Sequence, residues 1–476
     1  MKRLICSLLL LVVVLSAGCT MAPKYSRPEA SVPPEWPEGL AYPDSLVISK
    51  LPSASEMSPQ EFFEDTLLQQ VIELALDNNL DLRLAALNVE KVRAYYKIKR
   101  ADLFPSITAL GVGGKSRVPA DLSPTGAAGT IEQYSVDVGI ASWEIDFFGR
   151  VRSEKNQALE QYLATESARR GAQISLVSAV GQAYLSLAAS RELLQLAHST
   201  LESQQAFYGL IERQYKGGLA SKLDLRRAQT QVNIAQRNVA IYTQLAAEDQ
   251  NALNLLAGTP VPSELLPENL SSVSPPRDVD PGLSSTVLLN RPDIMAAEHQ
   301  LKAAYAYIGV ARAAFFPRIS LTALAGTASS ALSGLFTSGS DTWRLGSQVA
   351  LPIFDPRIHA ALRVTEADQE IILTQYQKTI QVAFKEVADA LAVKNTINQQ
   401  VAAQESLVEA TDETYSLAQK RYTKGIDNFL SVLDAHRSLY FSQQVLVTLR
   451  LAKLANQVQL YAVLGGGAMT ATETNQ

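Results

Sequence analysis

The chain has 476 residues, of which 19% are charged, and its formal net charge is −5. Removal of an amino-terminal segment carrying Lys2 and Arg3 would take the charge from −5 to −7, which argues against a nucleic-acid partner. The mature sequence contains no apolar run long enough for a transmembrane helix.

The amino terminus has the pattern of an export signal. Two basic residues precede the apolar run 4–15, and small residues then lead to Cys19, so residues 1–18 are predicted to be a signal peptide. The end of this segment resembles a bacterial lipobox, in which the cysteine sulfur takes a diacylglycerol, although Ser16 stands where leucine is commoner. An ordinary secretory signal with an incidental cysteine is the alternative. Thr20, where an aspartate would resemble an inner-membrane retention signal, favours the outer membrane.

Proline marks two segments that lack long helices. Eight of the 21 prolines lie within residues 19–64, which are predicted to form an extended, lipidated amino-terminal segment. Six more lie within residues 258–284, a predicted linker or equatorial segment. Residues 465–476 are predicted to be a polar tail.

Three short sequences recur in the same order in the two halves of the chain. The pairs are residues 101–107 with 313–319, residues 147–151 with 354–358, and residues 215–219 with 422–426. The shared order predicts that one helix–strand–strand–helix–helix unit occurs twice in the chain. Repeat 1 covers residues 65–257 and repeat 2 covers residues 285–464.

Each repeat is predicted to end in two very long helices, because proline is absent from both regions. The predicted helices cover residues 150–216, 219–257, 357–424 and 426–464. The longer helix of each pair would measure about 100 Å and the shorter roughly 60 Å. Gly217-Gly218 and Gly425 are predicted to turn the chain between them. Apolar residues recur every seven positions from Leu433 to Tyr461, which favours a coiled coil, although a compact bundle would show the same spacing.

Two predicted β-hairpins, residues 104–147 and 315–354, interrupt the helices. Their strands alternate apolar with polar or small residues, and aromatic residues cluster at the strand ends. This pattern is typical of a membrane β-barrel, although a soluble sandwich shows similar alternation. Two hairpins supply only four strands, whereas the smallest membrane barrels have about eight. Because open sheet edges cannot face lipid, the barrel must be shared between chains, and a trimer would supply twelve strands.

The sequence contains no recognisable catalytic or metal-binding pattern. The four histidines lie apart without metal-ligand spacing, and no Gly-x-Ser-x-Gly elbow occurs. A glycine-rich run around Lys115 resembles a phosphate loop, but prolines and glycines follow where a helix would have to begin. We therefore expect no enzyme activity, no metal and no cofactor, apart from a covalent lipid on Cys19.

Four motifs are informative as a set. They read PKYSRP at residues 23–28, ALDNNLDL at 75–82, WEIDFFGR at 143–150 and LNRPDI at 289–294. Together they resemble the outer-membrane factor family, the TolC-like exit ducts, and Cys19 resembles its drug-efflux lipoprotein branch. The resemblance implies an α+β membrane protein: a trimeric 12-stranded outer-membrane β-barrel, four strands per chain, continuous with a long α-helical periplasmic barrel. It also implies a periplasmic adaptor (membrane fusion protein) and an inner-membrane pump as partners.

The resemblance further implies functional positions at the periplasmic ends of the long helices. The positions implied for adaptor contact are Arg213, Gly218, Ser221, Arg421, Gly425 and Asn428. Those implied for the periplasmic gate are Tyr422, Leu430, Asp434, Arg437 and Asp224. Leu430, Asp434 and Arg437 share one helical face, and three-fold symmetry would make Asp434 a ring of three carboxylates. The alternative is an intrahelical Asp434–Arg437 pair on a solvated face.

The expected function is a passive exit duct for substrates that an inner-membrane pump delivers through the adaptor. A trimeric surface adhesin or structural spacer of the outer membrane is the alternative, since it also combines coiled coil and barrel. Adhesins usually carry one barrel at one chain end, whereas strands interrupt the helices twice here. The cargo and the particular pump stay open.

Cys19 yields a direct prediction. We expect Cys19 to be the first mature residue and to carry lipid, because a small-residue cleavage site directly precedes it. Intact-mass measurement of the mature protein tests this, and an unlipidated amino terminus at another residue would contradict it. Cys19→Ala is expected to abolish lipidation and to leave much of the transport, since the barrel itself anchors the trimer.

Overall fold

The computed structural model describes residues 20–29, 31–42, 54–279 and 285–467. The predicted signal peptide (residues 1–18), Cys19 and residues 468–476 of the predicted tail lie outside the described residues.

Long helices and one antiparallel sheet make up the described chain. The α-helices are α1 (Pro59–Phe62), α2 (Thr66–Asn78), α3 (Leu80–Ala101), α4 (Arg150–Lys216), α5 (Lys222–Ala257), α6 (Pro292–Ala313), α7 (Pro356–Thr423) and α8 (Phe429–Val463). The strands are β1 (Thr108–Val118), β2 (Gly129–Glu144), β3 (Arg318–Ser329) and β4 (Asp341–Ala350). Helices alongside a separate sheet confirm the predicted α+β class.

The two longest helices follow directly from the absence of proline. α4 contains 67 residues and α7 contains 68, so each is about 100 Å long. Part of α4 is apolar enough to cross a membrane, but 56% of that 18-residue window is buried within the chain, as expected of a packed helix. The helices that follow begin at Lys222 and Phe429, three residues later than the sequence estimate, because Ser221 and Asn428 are their N-caps.

The sheet has the strand order β1-β2-β3-β4, with every neighbouring pair antiparallel. The central pair is closely spaced at Gly326, where an added Cβ would lie 2.0 Å from the backbone oxygen of Val136. The pairing of β2 with β3 shifts register between Ile140 and Trp143, which marks a β-bulge. Among the described residues, β1 and β4 each pair with one strand, so both edges of the sheet are open.

The described chain divides into two compact units. Unit 1 comprises the chain up to Pro28, Val89–Thr165 and Ala297–Tyr376, whereas unit 2 comprises Glu29–Asn88, Glu166–Ala296 and the chain from Gln377 onwards. Each unit draws residues from both halves of the chain, so the compact units differ from the predicted repeats.

Ion pairs join the strand ends to the helices in unit 1. Arg150 at the start of α4 donates two 2.8 Å hydrogen bonds to Glu144 at the end of β2, and Arg318 contacts Glu144 at 2.7 Å. Arg150 also binds Glu154, which Lys99 of α3 contacts at 3.0 Å. Glu144, Arg150 and Glu154 are largely shielded from solvent, so their charge-assisted hydrogen bonds fix β2 to α4. The pairs with Lys99 and with the more exposed Arg318 add α3 and β3 to this contact.

Aromatic packing dominates the core of unit 2. The Tyr461 ring of α8 stacks on Phe62 with centroids 4.0 Å apart, and its hydroxyl donates a 2.8 Å hydrogen bond to the Met57 carbonyl oxygen. Tyr461 is 1% exposed, and Phe63 packs edge-on against the same ring. The short segment around α1, which forms only single helical turns of its own, is therefore held on α8.

Arg291 of the LNRPDI motif has a structural role in the same unit. Its guanidinium donates to the Val463 carbonyl oxygen at 2.7 Å, to Asp293 at 2.8 Å and to Glu386 at 2.9 Å. Since Arg291 is 9% exposed, these partners satisfy a buried charge and tie the start of α6 to α7 and α8.

The Tyr461 contact predicts graded losses of stability. Tyr461→Ala removes a fully buried ring and is expected to cost about 3–5 kcal/mol of unfolding free energy. Tyr461→Phe keeps the ring and leaves the Met57 carbonyl unpaired, for an expected cost of about 1–3 kcal/mol. Thermal unfolding of the detergent-solubilised protein should rank wild type, Tyr461→Phe and Tyr461→Ala in that order. Equal midpoints for the two variants would contradict the stacking role of the ring.

Candidate functional site

Two helix ends in unit 2 adopt the same turn. Gly218 (φ 75°) follows α4 and Gly425 (φ 72°) follows α7. The N–H groups of the glycine and of the residue after it donate to carbonyl oxygens in the last helical turn, at 2.8–3.0 Å in both copies. This pattern is a Schellman motif, in which a left-handed residue closes the helix. The predicted turns therefore occur, with Gly218 rather than Gly217 in the left-handed conformation.

The helix that follows each turn starts with a polar N-cap. Ser221 accepts a 3.1 Å hydrogen bond from the Asp224 backbone, and the Asp224 carboxylate accepts a 2.6 Å bond from the Ser221 hydroxyl. Asn428 accepts a hydrogen bond from the Ser431 backbone at 3.3 Å. In this chain, Asp224 of the predicted gate thus closes a capping box, a local role that also fixes its carboxylate at the helix start.

An apolar cluster, which we name the tip cluster, lies beside both turns. Its buried members are Ile211, Ala228, Ala418, Phe429, Val432, Leu433 and Ala435. They come from α4, α5, α7 and α8, so the cluster holds all four helix ends together. The two glycine turns therefore lie beside a packed core of four helix ends and are not the ends of isolated helices.

Tyr422 lies at the margin of the tip cluster. Its hydroxyl donates a 3.0 Å hydrogen bond to the Gln214 side chain, and its ring packs 6.0 Å from Phe207 and 5.7 Å from Phe429. Burial raises the pKa of Tyr422, and the charge of Asp224 adds to the shift. Both residues belong to the predicted gate, and the charge of Asp224 acts on Tyr422.

Sequence reasoning missed Asp427, which lies between the second turn and its N-cap. Arg421 donates hydrogen bonds to both Asp427 carboxylate oxygens, at 2.6 and 3.0 Å. The hydrogen bond from Arg421 holds the pKa of Asp427 below its usual value. Ala220 stands at the equivalent place in the first copy, so comparison of the two copies marks Asp427 as a difference that could have been noticed.

The remaining gate candidates lie on α8. Leu430 is 42% exposed, and Asp434 and Arg437 are exposed and form an ion pair at 3.2 Å. Within a single chain this is the solvated intrahelical pair given above as the alternative. The same side chains are accessible to another molecule.

The adaptor candidates share one property. Arg213, Gly218, Ser221, Arg421, Gly425 and Asn428 are all exposed in the single chain and lie on or beside the two turns. Exposed apolar residues accompany them, because Leu219 and Ile426 directly follow the left-handed glycines and are 84% and 59% exposed. The turns therefore combine polar backbone, charge and apolar surface.

A partly buried histidine, His436, lies between the gate candidates Asp434 and Arg437 in the sequence. The ring of His436 makes a 3.0 Å hydrogen bond with Gln204 of α4 and packs edge-on against Tyr415 of α7. Burial lowers the pKa of His436, so the ring is neutral at pH 7. This polar contact fixes α8 against α4 below the turns.

Known proteins match this chain over nearly its whole length. The family model described as "Outer membrane efflux protein" matches residues 71–259 and 283–466. The solvent efflux pump outer membrane protein SrpC of Pseudomonas putida is 45% identical over 466 residues, which cover 97% of this chain and 98% of SrpC.

Solved structures show the same fold. A crystal structure of a membrane protein from Pseudomonas aeruginosa matches with a TM-score of 0.87 and 38% identity, covering 94% of this chain and 100% of that one. The open state of the Neisseria gonorrhoeae MtrE outer membrane channel matches with a TM-score of 0.84 and 34% identity, covering 94% of this chain and 99% of MtrE. These matches support an efflux channel, and none supports an adhesin. The chain belongs to the outer membrane efflux protein family and is an outer-membrane efflux channel protein.

Proposed function

We propose that three copies of the chain form a passive exit duct, with a shared 12-stranded barrel in the outer membrane and a tunnel of long helices in the periplasm. The main support for this proposal is that both edges of the four-stranded sheet are open. Pairing of β1 in one copy with β4 in the next would satisfy both edges, and closure after three copies leaves no unpaired backbone facing lipid.

Exposed apolar residues on α3 also favour association of copies. In the described chain α3 has no buried residue, although Leu80, Leu84 and Leu87 fall on one face and are each at least half exposed. A second copy that covers this stripe would bury it, whereas water would leave it unfavourably hydrated.

The two glycine turns are proposed as the periplasmic tip, where an adaptor docks. Residues 212–227 and 420–437 contain nine Lys or Arg against four Asp or Glu, although the whole chain is acidic. This local positive charge favours an adaptor whose docking surface is acidic. The inner-membrane pump supplies the energy, and the duct needs neither enzyme activity nor a cofactor beyond lipid on Cys19.

The gate is proposed to lie beside the tip cluster. Three-fold symmetry would bring together three copies of Leu430 and Asp434, so a ring of carboxylates would narrow the entrance and favour cations. Opening would then require the ends of α7 and α8 in neighbouring copies to move apart, with Tyr422 of α7 and Asp224 of α5 close to the entrance.

Docking at the tip predicts selective cross-links. Ser221→Cys and Asn428→Cys each place a thiol beside a glycine turn, and a thiol-directed cross-linker should join each variant to the cognate adaptor in cells. Lys222→Cys keeps the Ser221 cap and checks that the result does not depend on losing an N-cap. Thr125→Cys, in the loop between β1 and β2, is the matched control and should give no adduct. Cross-links from residue 125 alone would reverse the proposed orientation.

The proposed gate predicts a change in conductance. Replacing Leu430 and Asp434 together by Ala is expected to widen the entrance and to raise single-channel conductance in planar bilayers. Asp389→Ala is a matched control, because Asp389 belongs to another exposed intrahelical ion pair, with Lys385. Each such pair contributes only about 0.2–0.5 kcal/mol, so stability changes cannot account for a selective effect. An unchanged conductance in the tip variant would favour the purely intrahelical role of Asp434.

A further inference from the structure

The segment directly after Cys19 is extended, yet it is closely held by unit 1. Residues 20–27 contain no helix or strand. At its beginning, the Thr20 hydroxyl lies 3.4 Å from the hydroxyl of Ser153, a fully buried residue in the first turn of α4. We name residues 20–27 the strap.

A buried carboxylate on α6 holds the other end of the strap. Glu298 is 5% exposed and accepts hydrogen bonds from Arg27 at 2.6 Å and from the Tyr25 hydroxyl at 3.1 Å. Lys302, one turn further along α6, contacts Glu298 at 2.9 Å and lies over the Tyr25 ring. The Tyr25 ring also packs edge-on against Tyr305. Polar and aromatic contacts from one helix face thus converge on two strap residues.

The charged partners of Glu298 stabilise the ionised form of its carboxylate. Burial raises the pKa of Glu298, but the hydrogen bonds from Arg27 and Lys302 outweigh it and leave the pKa below its usual value. Glu298 is therefore negative at neutral pH, as the contact with Arg27 requires. A buried charge that loses one partner is costly, so the strap and Glu298 stabilise each other.

Gly309 gives independent evidence that the strap is seated closely. A Cβ added at Gly309 would lie 2.8 Å from the backbone nitrogen of Ala22, 2.9 Å from its Cβ, and 2.6 Å from the Ser153 hydroxyl oxygen. Glycine within a helix costs about 1 kcal/mol relative to alanine. Its presence within α6 is explained by the close approach of both the strap and the Ser153 hydroxyl of α4 to this position.

We infer that the strap is held in a fixed position on unit 1. Glu298 is the positioning residue, and Gly309 leaves room for the strap because glycine has no side chain. Because Cys19 is bonded to Thr20, the fixed position of the strap limits where any group on Cys19 is tethered to unit 1. The inference goes beyond the exit-duct proposal, and it holds whether or not Cys19 carries lipid.

Trypsin offers a specific test, because the strap contains one usable cleavage site. Trypsin cuts after Lys24, whereas Pro28 blocks cleavage after Arg27. Cutting at Lys24 releases the residues before Tyr25 together with whatever Cys19 carries, and intact mass spectrometry detects the shortened chain. Wild-type protein in detergent at neutral pH should be cut slowly at this site.

Two variants should free the strap by different routes. Glu298→Gln removes the charge that binds Arg27, and Gly309→Ala adds a methyl group where Ala22 passes. Each is expected to raise the initial rate of cleavage after Lys24 by roughly tenfold or more, the scale of a lost hydrogen bond to a charged group. Glu298→Gln is the more specific variant, since an added methyl group at Gly309 would also meet the Ser153 hydroxyl of α4.

Matched controls separate release of the strap from general loosening. Glu160→Gln alters a nearby carboxylate that binds His299, the residue after Glu298, and should leave the cleavage rate at Lys24 unchanged. Arg27→Gln lies in the strap itself and should reproduce the increase of Glu298→Gln. Wild-type rates in both Glu298→Gln and Gly309→Ala would overturn the inference. An increase in Glu298→Gln that Arg27→Gln fails to reproduce would overturn it as well.

Discussion

Backbone hydrogen bonding of the sheet is the constraint on which the rest of the molecule depends. Among the described residues β1 and β4 each have one neighbouring strand, which leaves two rows of unpaired N–H and C=O groups. In hydrocarbon each such group would cost several kcal/mol, so the proposed membrane barrel requires more strands than one chain supplies. The proposed association of copies would pair these groups, and the exposed apolar face of α3 is consistent with the same association.

The two glycine turns show how a duplicated element can diverge without changing its backbone. Both copies use a left-handed glycine, the same pair of carbonyl acceptors and a polar N-cap three residues later. Their side chains differ, because Tyr215 is 39% exposed whereas Tyr422 packs on the tip cluster and binds Gln214. The shared backbone preserves the hairpin of helices, and the differing side chains allow one copy to contribute more to the proposed gate.

Two short segments of this chain are held by buried side chains of the long helices. The strap depends on Glu298, and the segment around α1 depends on the hydroxyl and ring of Tyr461. The strap contains no helix or strand and α1 is a single helical turn, so the position of each segment is specified by side-chain contacts of defined geometry. The adjacent helices supply those contacts because packing already fixes their rotamers. This explains why charged and aromatic groups occur on buried faces of α6 and α8.

The sequence by itself determined the features that local rules control. Absence of proline predicted α4 and α7, the left-handed preference of glycine predicted the turns at Gly218 and Gly425, and alternation predicted the strands. The tertiary structure decided which distant residues meet: the Arg27–Glu298 and Tyr422–Gln214 pairs and the division into two units. Local propensity acts over a few residues and is legible in the chain, whereas contacts between residues far apart depend on how completed elements pack, which no short pattern encodes.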